Sequence, residues 1–540
     1  MLDREVQTER TNMTSPKVYL KPNVLVEPLI NQWYAWSGLI PPATAAMFVA
    51  NSHLKIMQSF VAAPQTHVAA LKNPAMRGGP FISYGAGMVG EIKILIEKTA
   101  QEQSHLLELA TAIHQLSNTL NEADGTSLDP FYSRVPPPLK GYVELIYDLN
   151  GNPSFRLIEG LLYKSDYYRP SSQTVALSLV TEDDRPFALS SPILGGNGHL
   201  FLPVPFASPE LDELFRMKSE PQPYPYIKQR LAVADEDDRR FSSFFTEEPP
   251  PESPKYEQDD VRVRYFGHAS ILIESRAVSI LTDPVISYAY DNDLYRYTYA
   301  DLPETIDYVL ITHNHQDHCM IETLLQLRHK VRNIVVPKTN GGALVDPSLK
   351  LALQNIGFDH VIEIDEMESI EVEDGFIMGL PFLGEHADLN IRTKIAYLVS
   401  LKNRTIMCAA DSNNIDPELY RHIHKLIGDI DVLNLGMECD GGPLSWLYGP
   451  LLTKPLARKQ DQSRRLNGSN YERGIEIVNQ LNPKHVYVYA MGQEPWLTYL
   501  TSIQYTPQSR PIVDSDKLVA DCAGRGITAK RLFGHEEILL

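Results

Sequence analysis

The sequence Tyr308-Val-Leu-Ile-Thr-His-Asn-His-Gln-Asp-His318 joins a short apolar run to three histidines and one aspartate. Its first four residues are apolar or aromatic, partly β-branched and followed by polar residues, which predicts a buried β-strand. The histidine cluster therefore lies where a strand ends and a loop or helix begins. Imidazole and carboxylate groups bind first-row transition metals, so the cluster indicates metal ligands, whereas the alternative is a polar loop that happens to be rich in histidine.

The composition limits the class of protein. The chain has 540 residues, of which 43% are hydrophobic, and this length favours two domains. A formal net charge of −19 argues against nucleic acid as the main partner. The four cysteines are scattered without a C-x-x-C pair, which is typical of a reducing cytoplasm. The polar first residues do not resemble a signal peptide, and no apolar run is long enough for a membrane span, so we expect a cytoplasmic protein without a membrane partner.

Residues 1–234 predict an α+β N-terminal domain without a catalytic constellation. The pattern over residues 89–120 predicts a helix, because its apolar residues recur every three or four positions and form one face. That face could pack internally or form part of a dimer interface. Residues 142–149 and 154–163 predict two strands joined by a hairpin at Asn150-Gly151, since Asn-Gly suits the positive φ angles of a tight turn. We expect a docking or dimerisation role for this domain.

Residues 235–260 contain ten acidic residues, three basic residues and four prolines. Such a segment repels itself and buries little apolar surface, which predicts a linker that does not pack. The second domain then covers residues 261–540. Its many short apolar runs with helical patterns between them predict a layered α/β architecture. The predicted strands are 261–266, 270–274, 278–282, 308–311, 333–336, 360–364, 369–372, 376–380, 394–399, 405–409, 431–435 and 485–489.

The pattern His-x-His-x-Asp-His, together with Phe266-Gly-His-Ala-Ser270 and Leu281-Thr-Asp-Pro284, resembles the metallo-β-lactamase superfamily. The resemblance implies an αββα sandwich with a dinuclear metal site at one edge of its sheets. Within the motif it implies two ligands for each metal: His313 and His315 for the first, Asp317 and His318 for the second.

A further ligand is expected at the end of a later strand. Asp411 closes the apolar run Thr405-Ile-Met-Cys-Ala-Ala and matches the acid that bridges the two metals in the superfamily. A carboxylate can bridge two cations because it has two oxygens with separate lone pairs. The alternative for Asp411 is an ordinary turn or helix-capping acid.

Two positions depart from the hydrolases of this superfamily, which have histidines there. In Leu380-Pro-Phe-Leu-Gly-Glu-His386, Glu385 follows the glycine, and only a shift of one residue would make His386 the ligand. The last histidine should follow Gly492, where the sequence continues with Gln493-Glu494. Exchange of imidazole for carboxylate favours iron or manganese over zinc. The absent histidine leaves open coordination for dioxygen or substrate.

With these departures the sequence resembles the diiron monooxygenases that have a metallo-β-lactamase fold, the family of the β-hydroxylase of chloramphenicol biosynthesis. The resemblance implies two iron ions with an oxo or hydroxo bridge and dioxygen as co-substrate. It also implies hydroxylation at the β-carbon of an aminoacyl group on the carrier domain of a nonribosomal peptide synthetase, and a homodimer. Because the sequence lacks recognisable flavin, nicotinamide and Rieske motifs, we expect an external electron donor.

Three other functions fit parts of the pattern. The same centre could oxidise the nitrogen of an amino acid, either free or bound to a carrier. A dinuclear zinc or manganese hydrolase would use a bridging hydroxide on a phosphodiester, lactone or lactam, and His386 as a ligand would favour it. The third alternative is a scaffold protein without catalytic activity. The six metal-binding groups that the sequence retains argue against this alternative.

Several residues outside the ligand set are candidates for supporting roles. Glu438 follows the predicted strand 431–435 and is our candidate for a catalytic acid in proton delivery, with a surface loop acid as the alternative. His268 and Asp283 could join the first strands by hydrogen bonds or orient a metal ligand. Five basic residues could receive the pantetheine phosphate or the acidic carrier domain, or form a solvated basic face: Lys454, Arg458, Lys459, Arg464 and Arg465.

Overall fold

The computed structural model of the protein describes residues 16–196, 198–251 and 255–540. The first residues, on which the expectation about a signal peptide rests, lie outside these ranges. Among the described residues no helix combines the length and the apolar character that crossing a membrane requires.

Two seven-stranded sheets form the centre of the C-terminal domain. The first has the spatial order Val361–Ile364, Val331–Pro337, Ile306–Leu310, Ser279–Thr282, Ser270–Glu274, Arg262–Gly267 and Glu536–Leu539. The second has the order Ser369–Val372, Gly375–Leu380, Ala396–Leu401, Arg404–Cys408, Val432–Gly436, His485–Tyr489 and Thr528–Arg531. Their inner faces pack together through alternate apolar residues such as Ile271 and Val399, which is how two half-buried sheet faces exclude water.

Helices cover the outer faces of both sheets. Ile321–Leu327 and Leu349–Asn355 pack on the first sheet, with the N-terminal domain behind them. Pro417–Ile427, Tyr471–Leu481 and Arg510–Gly524 pack on the second. The remaining helices of this domain are the short segments Leu444–Leu447, Arg458–Ser463 and Thr498–Thr501. The predicted αββα sandwich is therefore confirmed, and the predicted strands coincide with observed ones to within two residues at each end.

The N-terminal domain combines small antiparallel sheets with a helical cluster, as the α+β prediction states. A four-stranded sheet has the order Trp33–Tyr34, Val24–Ile30, Gln173–Leu179 and Leu200–Leu202, and a three-stranded sheet has the order Gln222–Pro223, Lys17–Leu20 and Phe245–Thr246. Its α-helices are Pro42–Phe48, Leu54–Ala62, Pro64–Leu71, Val89–Glu102, Ser104–Leu120, Glu159–Leu162, Pro209–Arg216, Tyr224–Arg230 and Asp238–Ser242.

The helix predicted over residues 89–120 is two helices. Val89–Glu102 ends at Gln103, whose φ of −105° and ψ of 18° leave the helical region, and Ser104–Leu120 begins directly after it. The break turns the chain so that both helices bury apolar residues in one core, which uniform periodicity cannot reveal. The apolar face of Ser104–Leu120 is buried inside the chain.

The predicted hairpin is confirmed as strands Val143–Tyr147 and Pro153–Leu157. The prediction that the second strand reaches residue 163 is wrong, because Glu159–Leu162 is a helix. The Asp148 side chain accepts the backbone N–H groups of Asn150 and Asn152 at 2.9 and 2.7 Å, which closes the turn. By contrast, the strand Glu536–Leu539 escaped prediction because its two glutamates weaken the apolar pattern, yet it pairs with Arg262–Gly267 at the sheet edge.

The expectation that residues 235–260 do not pack is wrong for their first half. Asp238–Ser242 is a helix, and Phe245–Thr246 pairs with Lys17–Leu20. Phe241, Phe244 and Phe245 are buried in the core. Three phenylalanines therefore outweigh the surrounding charges, because each aromatic side chain buries a large apolar area. Domain boundaries at 234 and 261 remain predictions, and residues 252–254 lie outside the described ranges.

The two domains share buried contacts beside the sheet edge that carries the histidine motif. Leu444, Leu447 and Leu497 of the C-terminal domain belong to the same apolar cluster as the N-terminal helices. The Arg185 guanidinium lies 2.6 Å from Glu27 and 2.9 Å from Glu322, so it joins one carboxylate of each domain. The N-terminal domain is thereby held against the loops that form the candidate site.

Candidate metal centre

Loops at one edge of the two sheets carry the predicted ligands. His313 follows the strand Ile306–Leu310, Glu385 follows Gly375–Leu380, and Asp411 follows Arg404–Cys408. Although these residues are far apart in sequence, the sandwich places the ends of their strands together. All six predicted metal ligands, His313, His315, Asp317, His318, Glu385 and Asp411, lie in this one region.

The first group of ligand atoms comes from His313, His315 and Glu385. Nε2 of His313 lies 3.2 Å from Nδ1 of His315, and that Nδ1 lies 2.9 Å from Oε1 of Glu385. The three ligand atoms are within 4.8 Å of one another and all three residues are buried. This spacing suits one cation with two imidazoles and one carboxylate.

A second group joins His313, His318 and Asp411, again within 4.8 Å. Nε2 of His318 lies 3.2 Å from Oδ2 of Asp411. Asp317 lies with His318 in a third group, which His268 completes. Asp411 thus lies where it contacts ligands of both metal positions, which is the arrangement expected of a bridging carboxylate.

The donor atoms fit a pair of cations because several of them lack any other partner. Among the residues of the three ligand groups, four buried atoms have no hydrogen-bond partner: Nε2 of His318, Oε2 of Glu385, Oδ1 of Asp411 and Nε2 of His268. Buried polar atoms are normally hydrogen-bonded, so four such atoms in one small volume indicate a missing charged ligand. Three carboxylates among the six predicted ligands are the donor set that iron or manganese prefers.

His318 is oriented by Asp283. Oδ2 of Asp283 accepts a hydrogen bond from Nδ1 of His318 at 2.8 Å, and the same carboxylate accepts the backbone N–H and hydroxyl of Thr312 at 2.7 and 2.6 Å. Because Nδ1 carries the proton, Nε2 keeps its lone pair for a metal. The supporting role proposed for Asp283 is the one that this geometry favours.

His268 contacts Asp317 in the same way. Its Nε2 lies 3.2 Å from Oδ2 of Asp317, and its Nδ1 accepts the backbone N–H of Gly492 at 3.2 Å. Burial alone would raise the pKa of Asp317, but the contact with His268 and the other neighbouring imidazoles lower the pKa well below its usual range. Asp317 is therefore held as a carboxylate.

His386 is close to the centre but belongs to none of the groups. Its ring stacks on His315 with centroids 4.6 Å apart, and its Nδ1 lies 3.1 Å from Oε2 of Glu385. The structure thus presents Glu385 to the other ligands. Burial raises the pKa of Glu385 to about 7, so a bound cation would displace a proton from it.

Tyr448 is a site residue that the sequence analysis missed. Its hydroxyl lies 2.8 Å from Nε2 of His315, which leaves Nδ1 of that ring for a metal. Tyr448 follows the short helix Leu444–Leu447 and is buried. Nothing in its sequence neighbourhood distinguishes it, since its partner lies 133 positions away.

Backbone conformation also shapes the ligand loops. Gly384 and Glu385 have φ angles of 76° and 62°, and Ala410, directly before Asp411, has 49°. Residues other than glycine rarely adopt such angles, and they concentrate at functional sites. A Cβ on Gly384 would lie 2.5 Å from Cβ of Asn413, so only glycine fits there.

The position of the absent last histidine is occupied by a buried acid. Glu494 accepts a hydrogen bond from the hydroxyl of Tyr265, and its Oε2 has no partner among the described residues. Glu494 is not part of any of the three ligand groups. Among the described residues, the three ligand groups therefore include no residue of this segment.

A cavity of about 390 Å³ opens onto the ligands. Glu438 lines it beside Asp411, with Oε2 buried and unpartnered among the described residues, while Oε1 accepts the N–H of Asp440 at 3.0 Å. Burial raises the pKa of Glu438 to about 8, which favours the protonated carboxyl. This placement suits an acid that faces the reacting groups.

The five basic residues do not form a single surface. Arg465 lines the cavity and lies 3.5 Å from Asp440, whereas Nε of Arg464 donates to the carbonyl of Ala387 at 2.8 Å and supports the ligand loop. Lys454 and Arg458 line a separate groove, and Lys459 is exposed.

The chain is similar to known proteins over both of its domains. Residues 19–249 match the family described as "Diiron non-heme beta-hydroxylase N-terminal domain", and residues 262–440 match "Beta-lactamase superfamily domain". The chain is 42% identical over 524 residues to 4-amino-L-phenylalanyl-(CmlP-peptidyl-carrier-protein) 3-hydroxylase of Streptomyces venezuelae, which covers 95% of this chain and 98% of the relative.

A crystal structure of CmlA, a diiron β-hydroxylase from Streptomyces venezuelae, superposes with a TM-score of 0.91 at 41% identity and covers 98% of this chain and 100% of that one. A single-residue mutant of CmlA gives a TM-score of 0.88 at 40% identity, covering 97% and 100%.

The fold and the ligand groups define a metalloprotein of the metallo-β-lactamase architecture with a carboxylate-rich site for two metals. Within that class, the chain belongs to the non-haem diiron β-hydroxylases. It is accordingly an oxidoreductase whose cofactor is a pair of iron ions and whose co-substrate is dioxygen.

Proposed function

We propose that this protein hydroxylates the β-carbon of an aminoacyl group held as a thioester on the carrier domain of a nonribosomal peptide synthetase. The observation that carries the proposal is Glu385, whose Oε1 lies 2.9 Å from Nδ1 of His315 where related hydrolases have a histidine. The relative of 42% identity acts on a substrate bound to a peptidyl carrier protein, which supports the same kind of substrate here.

His313, His315 and Glu385 would hold one iron, Asp317 and His318 the other, and Asp411 would contact both. When bound, the two irons activate dioxygen, so that one oxygen atom enters a C–H bond while the other is released as water with two protons and two electrons. Asp283 and Tyr448 keep the ring nitrogens of His318 and His315 directed at the metals.

Glu438 is the residue that we assign to proton delivery. Its protonated carboxyl faces the cavity with Oε2 free among the described residues, so it can donate a proton there without breaking an existing hydrogen bond. Its pKa of about 8 lies near neutrality, which suits a group that gives and regains a proton.

The finer assignments of partners belong to the same proposal. Two electrons come from an external donor, and the protein acts as a homodimer. All four cysteines are buried free thiols, which supports a location in the reducing cytoplasm. Oxidation at nitrogen would use the same centre, so the position of oxygen in the product separates the two reactions.

Mass spectrometry of loaded carrier domains tests the proposal. Iron-loaded enzyme with a reductant should add one oxygen atom from isotopically labelled dioxygen to the aminoacyl group, and fragmentation should place it at the β-carbon. Glu385→His should lower iron occupancy or reactivity with dioxygen. Two zinc ions and rapid hydrolysis of esters or phosphodiesters by the purified protein would instead support the hydrolase.

A further inference from the structure

A groove of about 980 Å³ lies between the N-terminal helices and the segment after the helix Leu444–Leu447. The two sides of the groove are joined by hydrogen bonds from Asn51 to the carbonyl of Pro450 at 2.9 Å and from Ser117 to Thr453 at 2.8 Å. Apolar side chains such as Ile56 and Leu452 form much of its wall. The groove therefore lies at the interface of the two domains, and hydrogen bonds between its walls hold its shape.

The groove adjoins the metal cavity. Gly78, Pro443 and Trp446 line both spaces. The indole N–H of Trp446 donates to the carbonyl of Gly78 at 2.9 Å, which fixes the ring at the boundary. An elongated molecule lying in the groove would therefore have one end at Trp446, beside the cavity that holds Glu385 and Asp411.

Positive charge is concentrated on the groove walls. Lys55, Lys454 and Arg458 line it, and none of them forms an ion pair with any residue that the structure describes. The acid in the groove, Asp461, accepts the backbone N–H and hydroxyl of Ser445 at 2.8 and 2.9 Å. Free cations are noteworthy in a chain with a net charge of −19.

We propose that this groove binds the phosphopantetheine arm of the carrier domain, an inference that rests on the proposed function. The phosphate contacts Lys55, Lys454 and Arg458. The pantetheine chain lies along the apolar wall, where the Ser52 hydroxyl can contact its amide groups. The thioester end passes Trp446 and places the aminoacyl group in the metal cavity.

The charge and size of the groove, and its position beside the metal cavity, favour the pantetheine arm as its ligand. A phosphate binds well to Lys and Arg side chains that lack other partners. A volume of about 980 Å³ is at the upper end for a small-molecule site and is far more than a free amino acid needs. A pantetheine arm meets both requirements because its anionic end is distant from its reactive end.

Calorimetric titration of the iron-loaded, full-length protein with 4′-phosphopantetheine and with pantetheine tests the inference. The wild-type protein should bind the phosphorylated compound more tightly, by about 2–5-fold for each exposed cation that contacts the phosphate. The double variant Lys454→Glu and Arg458→Glu should lose most of that difference. Lys93→Glu with Lys164→Glu makes the same change in net charge at exposed lysines elsewhere and should keep it.

A second measurement uses the fluorescence of Trp446. Binding of 4′-phosphopantetheine should change the tryptophan emission of the wild-type protein, and Trp446→Phe should remove that change. Equal affinity for the two compounds, or a phosphate preference that survives Lys454→Glu with Arg458→Glu, would overturn the inference.

The groove and the proposed function can fail separately. If wild-type enzyme hydroxylates a loaded carrier but shows no phosphate preference, the reaction stands and the groove assignment is wrong. If it shows the preference and its loss in the double variant without hydroxylating any loaded carrier, the groove assignment stands and the reaction is wrong.

Discussion

The hydroxyl of Tyr448 lies 2.8 Å from Nε2 of His315, on the side of the imidazole opposite Glu385. Tyr448 belongs to the segment that forms the wall of the groove, because Trp446, two residues earlier, lies at the boundary between groove and metal cavity. One short stretch of chain therefore contacts both the proposed path of the substrate and a metal ligand.

Tyr448→Phe should lower the affinity for iron by about 10–100-fold, since a partner that orients a ligating histidine contributes about that much. Iron content after dialysis against a graded chelator measures the change. Tyr168→Phe is a matched control, because it removes a hydroxyl that donates to the carbonyl of Asn355 at 2.9 Å, outside the site. Equal iron retention in the two variants would show that Tyr448 does not position His315.

Replacing Glu385 and His386 one at a time shows which of the two residues is the ligand at the first metal position. Glu385→Ala removes the oxygen 2.9 Å from His315 and should leave one iron per chain with altered optical absorption. His386→Ala removes a stacked ring and should keep both irons. Metal analysis with absorption spectra checks this. Loss of iron in His386→Ala, with both irons kept in Glu385→Ala, would make His386 the ligand and would favour the hydrolase function.

Gly436→Ala should displace Asp411. A Cβ at this position would lie 2.5 Å from Oδ1 of Asp411 and 2.7 Å from the carbonyl of Ala410. We expect loss of bound iron, together with a decrease of about 1–3 kcal/mol in the free energy of unfolding from overpacking. Gly90→Ala is the control, because a Cβ at Gly90 meets nothing within 4 Å. It should keep the iron content and should not lower the free energy of unfolding.

Glu159 makes stability depend on pH away from the metal centre. Burial raises the pKa of its carboxyl to about 7, although it accepts the N–H of Ser348 at 3.0 Å. The folded protein therefore holds a proton that the unfolded chain has released, and stability falls as pH rises from about 4.5 to 7.

Glu159→Gln keeps the side-chain shape and an acceptor without the titration. It should raise the free energy of unfolding at pH 8 by roughly 2–3 kcal/mol relative to wild type, and the gain should shrink toward zero at acidic pH. Denaturant unfolding across this range measures the difference. The exposed Glu97→Gln serves as control, and a gain independent of pH would contradict the account.

The motif from His313 to His318 could be read directly because four potential ligands follow one strand within six positions. Strand positions were equally accessible, since buried strands leave short apolar runs that do not depend on distant residues. The helix break at Gln103 and the packing of Phe241 and Phe244 could not be read, because both depend on neighbours that come from elsewhere in the chain.

Local sequence thus predicted the metal-binding motif and a layered α/β domain, and the family resemblance carried by that motif implied the sandwich. The tertiary structure decided how the ligands meet. Whether Glu385 or His386 faces His315 depends on a turn with positive φ angles, which the residue pattern does not predict. Tyr448 and the groove beside Trp446 arise only when the N-terminal helices meet the C-terminal loops, because long-range packing sets those distances and adjacent residues do not.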